Sequence, residues 1–389
     1  MHSSGQAGLD PVPYPGVTTP PGPAANLTLR PLLRRLLLGA AILVLFVVGA
    51  LLLSVAIGFE VGAQAALLGV LFAVLPVGIV VPALMWLDRF EAEPVRYLLF
   101  AFFWGALVAT TVSMVLNTGS MIVLNNVGYD AEAVGAVMVA PVVEESLKGL
   151  GVLFILWFRR REFDGVIDGI VYAGVCAAGF AFAENILYLG RAYVDMGPEG
   201  LVGLFVVRGL IGPFAHPLFT MWTGVGIGIA ATRTRGVVRW VAPIAGLALA
   251  IFLHGLWNLA AVAGIEGWWS FYLLLQVPIF VGAIVFVSWQ RRREGRLIAR
   301  SLAVYADHGW LTPGEVQMLG NLRARHEALR WASRAGGRRA KRAMTAFQDD
   351  ASELALLRVR MVAGTAGPDA VAQERRLLDT MTRCRAALP

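Results

Sequence analysis

Charge is scarce in this chain. Only 15% of its 389 residues are Asp, Glu, Lys or Arg, against about 25% in a soluble domain. With 57% of residues hydrophobic and a mean hydropathy of +0.67, that deficit excludes an ordinary water-soluble globule. Cysteine is nearly missing too. Cys176 lies inside an apolar run, Cys384 lies near the C-terminus, and neither belongs to a CxxC pair. A disulfide framework and a thiolate zinc site are therefore not indicated. Lysine is almost absent, arginine taking its place, and no internal repeat or Gly-rich phosphate loop occurs. Residues 1–28 (PVPYPGVTTPPGP at their centre) lack hydrophobic periodicity and are expected to be disordered. No cleavable signal peptide is expected, because the first apolar run is too long for an h-region and reads as an uncleaved anchor.

What the chain does have is long uncharged runs. From Leu36 to Phe59 no charged side chain occurs. Such a run, roughly 24 residues at 1.5 Å each, crosses a hydrocarbon core of about 30 Å. Eight apolar spans are predicted, at 36–59, 63–87, 96–116, 134–158, 169–190, 201–231, 238–263 and 267–289. Lipid satisfies no backbone polar group, so each span is expected to be a helix. The fold class expected is an all-α polytopic bundle of about eight transmembrane helices over 29–289, with a cytoplasmic basic helical tail over 290–389. Arginines set the orientation. Arg30, Arg34, Arg35, Arg89, Arg96, the run Arg159 to Arg161, Arg233, Arg235, Arg239 and the cluster from Arg291 to Arg296 all fall on one side of an alternating path, and the opposite loops carry Arg191 alone. Both termini are thus expected in the cytoplasm. The net charge of +7 follows these membrane borders, so a lipid bilayer is the expected partner and nucleic acid is not. In the tail, Thr312-Pro313-Gly314-Glu315 reads as a capping box, and Gly336-Gly337 and 364–368 as breaks among three or four helices.

Ionisable residues inside a span cost about 2.5–3.5 kcal/mol each on insertion scales, so they mark a function or a compensating network. Span four carries Glu144, Glu145 and Lys148, span five Glu184, span six Arg208 and His216, span seven His254 and Asn258. Glu145 lies 14 residues before Arg159, His254 lies 15 after Arg239, His216 lies 17 before Arg233 and Glu184 lies 15 after Gly169. At 1.5 Å per residue all four lie roughly 21–26 Å from the cytoplasmic markers. Four helices, two running each way, bring two histidines and at least two carboxylates to one level. His254 and Asn258 share a helix face, as do Glu144 and Lys148 in the order that favours an ion pair.

Imidazoles and carboxylates at one level suit zinc, which needs about three protein ligands and an open position at a catalytic site. A further carboxylate supplies a general base. Glu144 or Glu145 is expected to be that base, with Lys148 tuning the pair. Glu184, His216 and His254 are the expected metal ligands, and Asn258 the donor to a developing oxyanion. At these residues the sequence resembles the PrsW family of intramembrane proteases, related by motif to the type II CAAX prenyl endopeptidases. The resemblance rests on Glu144-Glu145-x-x-Lys148, Phe180-x-x-x-Glu184-Asn185, His216 with Thr220, and His254-x-x-x-Asn258, together with the loop from Asp88 to Pro94 and Asp168-Gly169. It covers about 85–262. It implies a zinc-requiring endopeptidase acting on membrane-anchored proteins, among them bacterial regulators such as anti-sigma factors. Glu184 stands where the prenyl proteases carry histidine, and Lys148 where they carry arginine, which favours the PrsW branch.

Plainer readings stand beside these. A lysine can neutralise one of the two glutamates, a lone histidine in a span more often fills a core, and an asparagine often joins helices. Arg208 is structural or substrate-facing. Gly174, Gly179, Gly224, Gly226 and Gly228 read as close-packing positions, and Pro213 and Pro217 as a kink around His216. A proton-coupled transporter is the competing function, since buried Glu, His and Lys also build proton relays. Its usual signature, two repeated halves, is missing. Arg- and Ala-rich composition points to a GC-rich bacterial source, and so to the bacterial plasma membrane.

Overall fold

The computed structural model of the chain describes residues 29–389 apart from 91, 161–162, 164, 233–235 and 263, so the Pro-rich segment 1–28 lies outside the described residues. No strand occurs among the described residues. The membrane-forming part consists of α1 (Leu29–Leu87), α2 (Val95–Phe103), α3 (Thr110–Asn126), α4 (Ala131–Val134), α5 (Ala140–Phe158), α6 (Val166–Phe205), α7 (Ala215–Ala231), α8 (Val238–Val262), α9 (Gly264–Phe271) and α10 (Val277–Asp307). Wide π-type turns join α2 to α3, α4 to α5 and α9 to α10, and extend α6 over Val206–Ile211.

Among the described residues, five helical runs are long and apolar enough to cross a membrane: Leu36–Leu87, Val95–Asn126, Val166–Ala231, Val238–Val262 and Trp268–Asp307. Two of them, of 52 and 66 residues, far exceed the roughly 20 residues of one crossing. Both contain a glycine in a conformation that side-chain-bearing residues avoid, Gly62 (φ 79, ψ 167) and Gly197 (φ 67, ψ −156). At Gly62 the helix doubles back. Before it, Phe46 packs on Phe100 and Phe103, parallel to α2. After it, Gly69 faces Ile186 and Leu84 faces Gly174, antiparallel to α6. The longer run doubles back at Gly197, and α7 returns along α6 so that Gly228 meets Gly165 and Gly224 meets Gly169. α5 is also long enough to cross but carries three charges, Glu144, Glu145 and Lys148.

α6 is the central helix. In its run the most apolar stretch is 83% buried, against 11% in α1, where Leu43, Leu51, Leu67 and Leu71 among others face outward. Small residues make that position possible. A Cβ on Gly224 would strike the carbonyl of Gly169, and one on Gly179 the carbonyl of Phe102. The stretch read from sequence as one span over 201–231 is in fact broken at Gly212–Phe214. Pro213 supplies no N–H and disfavours a helical residue before it, so α7 restarts at Ala215, one residue before His216.

The C-terminal region adds α11 (Pro313–Leu319), α12 (Leu322–Ala363, bent at Gly336–Gly337) and α13 (Ala370–Ala386). Thr312 caps α11 reciprocally with Glu315 (3.2 and 2.7 Å). α10 runs unbroken from the apolar bundle into this region, whose core of Ile298, Leu302, Phe347, Leu354 and Leu378 also takes in Phe90 from the loop after α1. Arg325, 4% exposed, donates to the Phe90 carbonyl (3.1 Å) and clamps that loop.

Candidate active site

Four helices deliver the buried ionisable residues to one point. Glu144, Glu145 and Lys148 lie on successive turns of α5, Glu184 on α6, His216 in the first turn of α7 and His254 on α8. At the centre sits Lys148, fully buried. Its Nζ donates to Glu145 Oε1 (2.8 Å) and to His216 Nδ1 (3.1 Å), lies 3.6 Å from Glu144 Oε2, and sits 4.0 Å above the Phe180 ring.

The adjacent glutamates differ sharply. Glu145 has no exposure and both its oxygens are taken, Oε1 by Lys148 and His254 Nδ1 (3.0 Å), Oε2 by the Thr220 hydroxyl (2.7 Å). Glu144 faces a cavity of about 820 Å³, together with Glu184, Arg208, His216, His254 and Asn258. Its Oε1 accepts from Asn117 Nδ2 (3.3 Å), whereas its Oε2 is enclosed without a hydrogen-bond partner. Neighbouring residues on a helix point about 100° apart, which is why one carboxylate looks into the core and the other into the cavity.

The histidines are oriented by carboxylates. His254 bonds Glu145 through Nδ1, so its Nε2 turns toward Glu144 Oε2, 3.8 Å away. Because Lys148 donates to His216 Nδ1, the His216 proton lies on Nε2 and is given to Glu184 Oε2 (3.0 Å). Arg208 pairs with the same Glu184 oxygen and donates to Asn185 Oδ1 (2.7 Å), a role for Arg208 that span-by-span reading left open. Asn258 reaches the cavity wall but gives one amide hydrogen to the Ala136 carbonyl (2.8 Å), tying α8 to the π-type turn before α5. Such wide turns recur at functional sites.

The donor set fits a divalent ion. Glu144, His216 and His254 each offer a ligand atom, all within 4.8 Å of one another; the expected ligand Glu184 lies outside that group but brings its Oε2 to 3.0 Å from His216 Nε2. Formally, Glu144, Glu145 and Glu184 face only two fixed cations, Lys148 and Arg208, so one negative charge is left over. The enclosed, unpartnered Glu144 Oε2 is an acceptor that a cation or a water would satisfy. Sequence reasoning missed Asn117. Thr110, Ser113 and Asn117 form a polar stripe at helical spacing on α3, all lining the cavity, but none is ionisable, so a search for buried charge passes over them.

Among the described residues, an all-helical bundle with apolar runs of crossing length around a buried carboxylate–histidine cluster defines a membrane-embedded protein that carries the side chains of a metal-assisted hydrolytic site. The sequence model of the PrsW family of intramembrane metalloproteases matches residues 93–283. Protease PrsW of Geobacillus kaustophilus (strain HTA426) is 30% identical over 220 residues, covering 56% of this chain and 87% of that protein. Protease PrsW of Bacillus subtilis (strain 168) is 29% identical over 210 residues (54% and 85%), and that of Clostridioides difficile (strain 630) 27% over 219 (55% and 87%). No solved structure matches. The chain belongs to the PrsW family and is an intramembrane protease, and nothing favours the transporter.

Proposed function

We propose that the chain hydrolyses peptide bonds of membrane-anchored proteins, with Glu144 as general base beside a zinc ion held by Glu184, His216 and His254. The observation that carries this reading is the asymmetry of the glutamate pair. Glu145 is saturated and fixes His254, whereas Glu144, which lines the cavity, keeps one oxygen without a hydrogen bond. His216 Nε2 and Glu184 Oε2, 3.0 Å apart, share a proton that an ion would replace, as metal binding to such ligands releases protons. When bound, zinc acts as a Lewis acid and makes an attacking water more acidic.

The chain's own residues do the rest. Glu144 Oε2 takes a proton from the attacking water and returns it to the leaving amine as the C–N bond breaks. Lys148 and Thr220 hold Glu145, and Glu145 holds the His254 ring, the carboxylate–histidine pairing common around ligating imidazoles. Arg208 holds Glu184. Asn258 carries a second amide hydrogen, and we assign it to the oxyanion. We further read the chain as crossing the bacterial plasma membrane eight times with both termini cytoplasmic. The reversals at Gly62 and Gly197 support this count, because each turns one long run into two passes. Residues 29–289 would form the catalytic bundle and 290–389 a cytoplasmic helical region. Regulators of the anti-sigma type are the proposed substrates.

Elemental mass spectrometry of chelator-free, detergent-purified protein tests the metal. About one zinc per chain is expected, lost in the His216→Ala/His254→Ala double variant. Cleavage of a membrane-anchored reporter tests the chemistry. Loss in Glu144→Gln is expected, and full cleavage by both Glu144→Gln and His254→Ala would overturn the assignment.

A further inference from the structure

The polar stripe of α3 ends at Asn117, a residue outside every motif that pointed to the site. Its amide nitrogen donates to Glu144 Oε1 at 3.3 Å. Its carbonyl oxygen has no partner, although it is shielded from solvent contact. The same holds for Glu144 Oε2. Both residues line one cavity, one asparagine amide links the two acceptors, and the Lys148 ammonium stands 3.6 Å from Glu144 Oε2 without a hydrogen bond to it. A buried acceptor without a donor costs about 1–3 kcal/mol, so a pair of them marks a place where donors arrive from outside the chain. Water is the smallest group that supplies two, one to each acceptor.

We propose that Asn117 is a positioning residue for the hydrolytic step. Its Nδ2 holds Glu144 Oε1 and so keeps Oε2 free. Its Oδ1 accepts one O–H of the attacking water while Glu144 Oε2 takes the proton of the other. The water oxygen then bonds to the scissile carbonyl carbon. The proton on Glu144 passes to the leaving nitrogen as the C–N bond breaks, and the hydrogen facing Asn117 leaves with the new carboxyl group. With both hydrogens held, the oxygen lone pair has a fixed direction. Misplacement of a reacting group by about 1 Å costs on the order of a hundredfold in rate. This inference rests on Glu144 as the base.

The test compares Asn117→Leu, Asn117→Asp and Glu144→Gln in full-length protein, using a quenched-fluorescent peptide spanning the site at which the wild type cuts a membrane-anchored reporter. Leucine keeps the branched shape and heavy-atom count of asparagine, in a somewhat larger volume, and removes both polar atoms; aspartate keeps an acceptor and removes the donor. For Asn117→Leu, kcat is expected to fall about 10–100-fold, with KM within about twofold and the thermal midpoint unchanged. Asn117→Asp should fall at least as far, because it sets a second carboxylate against Glu144. Wild-type kcat in Asn117→Leu overturns the proposal. So does a loss of midpoint with activity lost only in proportion to the unfolded fraction, which would make Asn117 a helix-joining residue. If instead Glu144→Gln cleaves normally, the base assignment itself has failed, and the two failures are told apart.

Discussion

Lys148 offers the sharpest test of the site's electrostatics. Replacing it by methionine keeps an unbranched chain of similar volume and removes the one ammonium between Glu144, Glu145 and His216. At an effective dielectric of about 20, the attraction to Glu145 at 2.8 Å is worth ~6 kcal/mol and that to Glu144 at 3.6 Å ~5. Desolvation of the ammonium offsets most of this. What remains visible on mutation is the uncompensated carboxylate left behind, about 3–5 kcal/mol when one partner of a buried pair is removed. In a chain of this size each kcal/mol moves the midpoint by about 2 °C, so Lys148→Met should melt roughly 6–10 °C lower. The assay is thermal unfolding in detergent followed by tryptophan fluorescence, run as a double-mutant cycle with Glu145→Gln. Neutralising Glu145 removes the stranded charge, so the double variant should recover about 1–3 kcal/mol relative to additivity. Additive changes, within about 0.5 kcal/mol, would refute the claim that Lys148 is held there by Glu145.

Three further outcomes follow from the fold. Gly224→Ala drives a methyl group into the Gly169 carbonyl and should cost at least about 1–3 kcal/mol, seen as a lower midpoint or loss of folded protein at purification. Burial raises the Asp88 carboxyl to about 7, against a smaller opposing pull from the Glu93 N–H. Its pKa is thus higher folded than unfolded, so stability is fullest below about 4, declines as pH climbs from about 4 to about 7, and is flat above. Asp88→Asn should flatten that dependence in a melting series against pH. Phe90→Ala empties a position 3% exposed in the core of the C-terminal region. It should cost about 3–5 kcal/mol and release that region to trypsin at lower protease concentration, and an unchanged digestion pattern would show that the loop merely rests there.

Much of the fold is legible because lipid leaves a chain few choices. Apolar runs longer than a crossing must be helical, and close-packing glycines announce themselves on α6 and α7, where Gly179, Gly224 and Gly228 each meet a backbone carbonyl. The turns at Gly62 and Gly197 fall in the gaps left between the spans 36–59 and 63–87 and between 169–190 and 201–231. What the residues do not announce is that a single glycine with positive φ, within a continuous helical run, takes the place of a loop there. The embrace of Phe90 by the C-terminal helices was equally out of reach. It joins residues 235 positions apart through Arg325, and no local pattern encodes that.

The depths of Glu145, Glu184, His216 and His254 could be counted from the flanking arginines, and the structure brings these four together. The division of labour between Glu144 and Glu145 could not be counted. Both are glutamates at one level on one helix, and sequence treats them alike. What separates them is the set of donors that arrives from other helices: Thr220 from α7, His254 from α8 and Lys148 from α5 itself converge on Glu145, and Asn117 from α3 reaches only one oxygen of Glu144. In a medium with no water to make up the difference, a carboxylate's chemistry is set by which of its lone pairs the fold leaves unfilled. Glu145 has none to offer, so it can orient but not react. Glu144 has one, on a residue that lines the cavity the two histidines share.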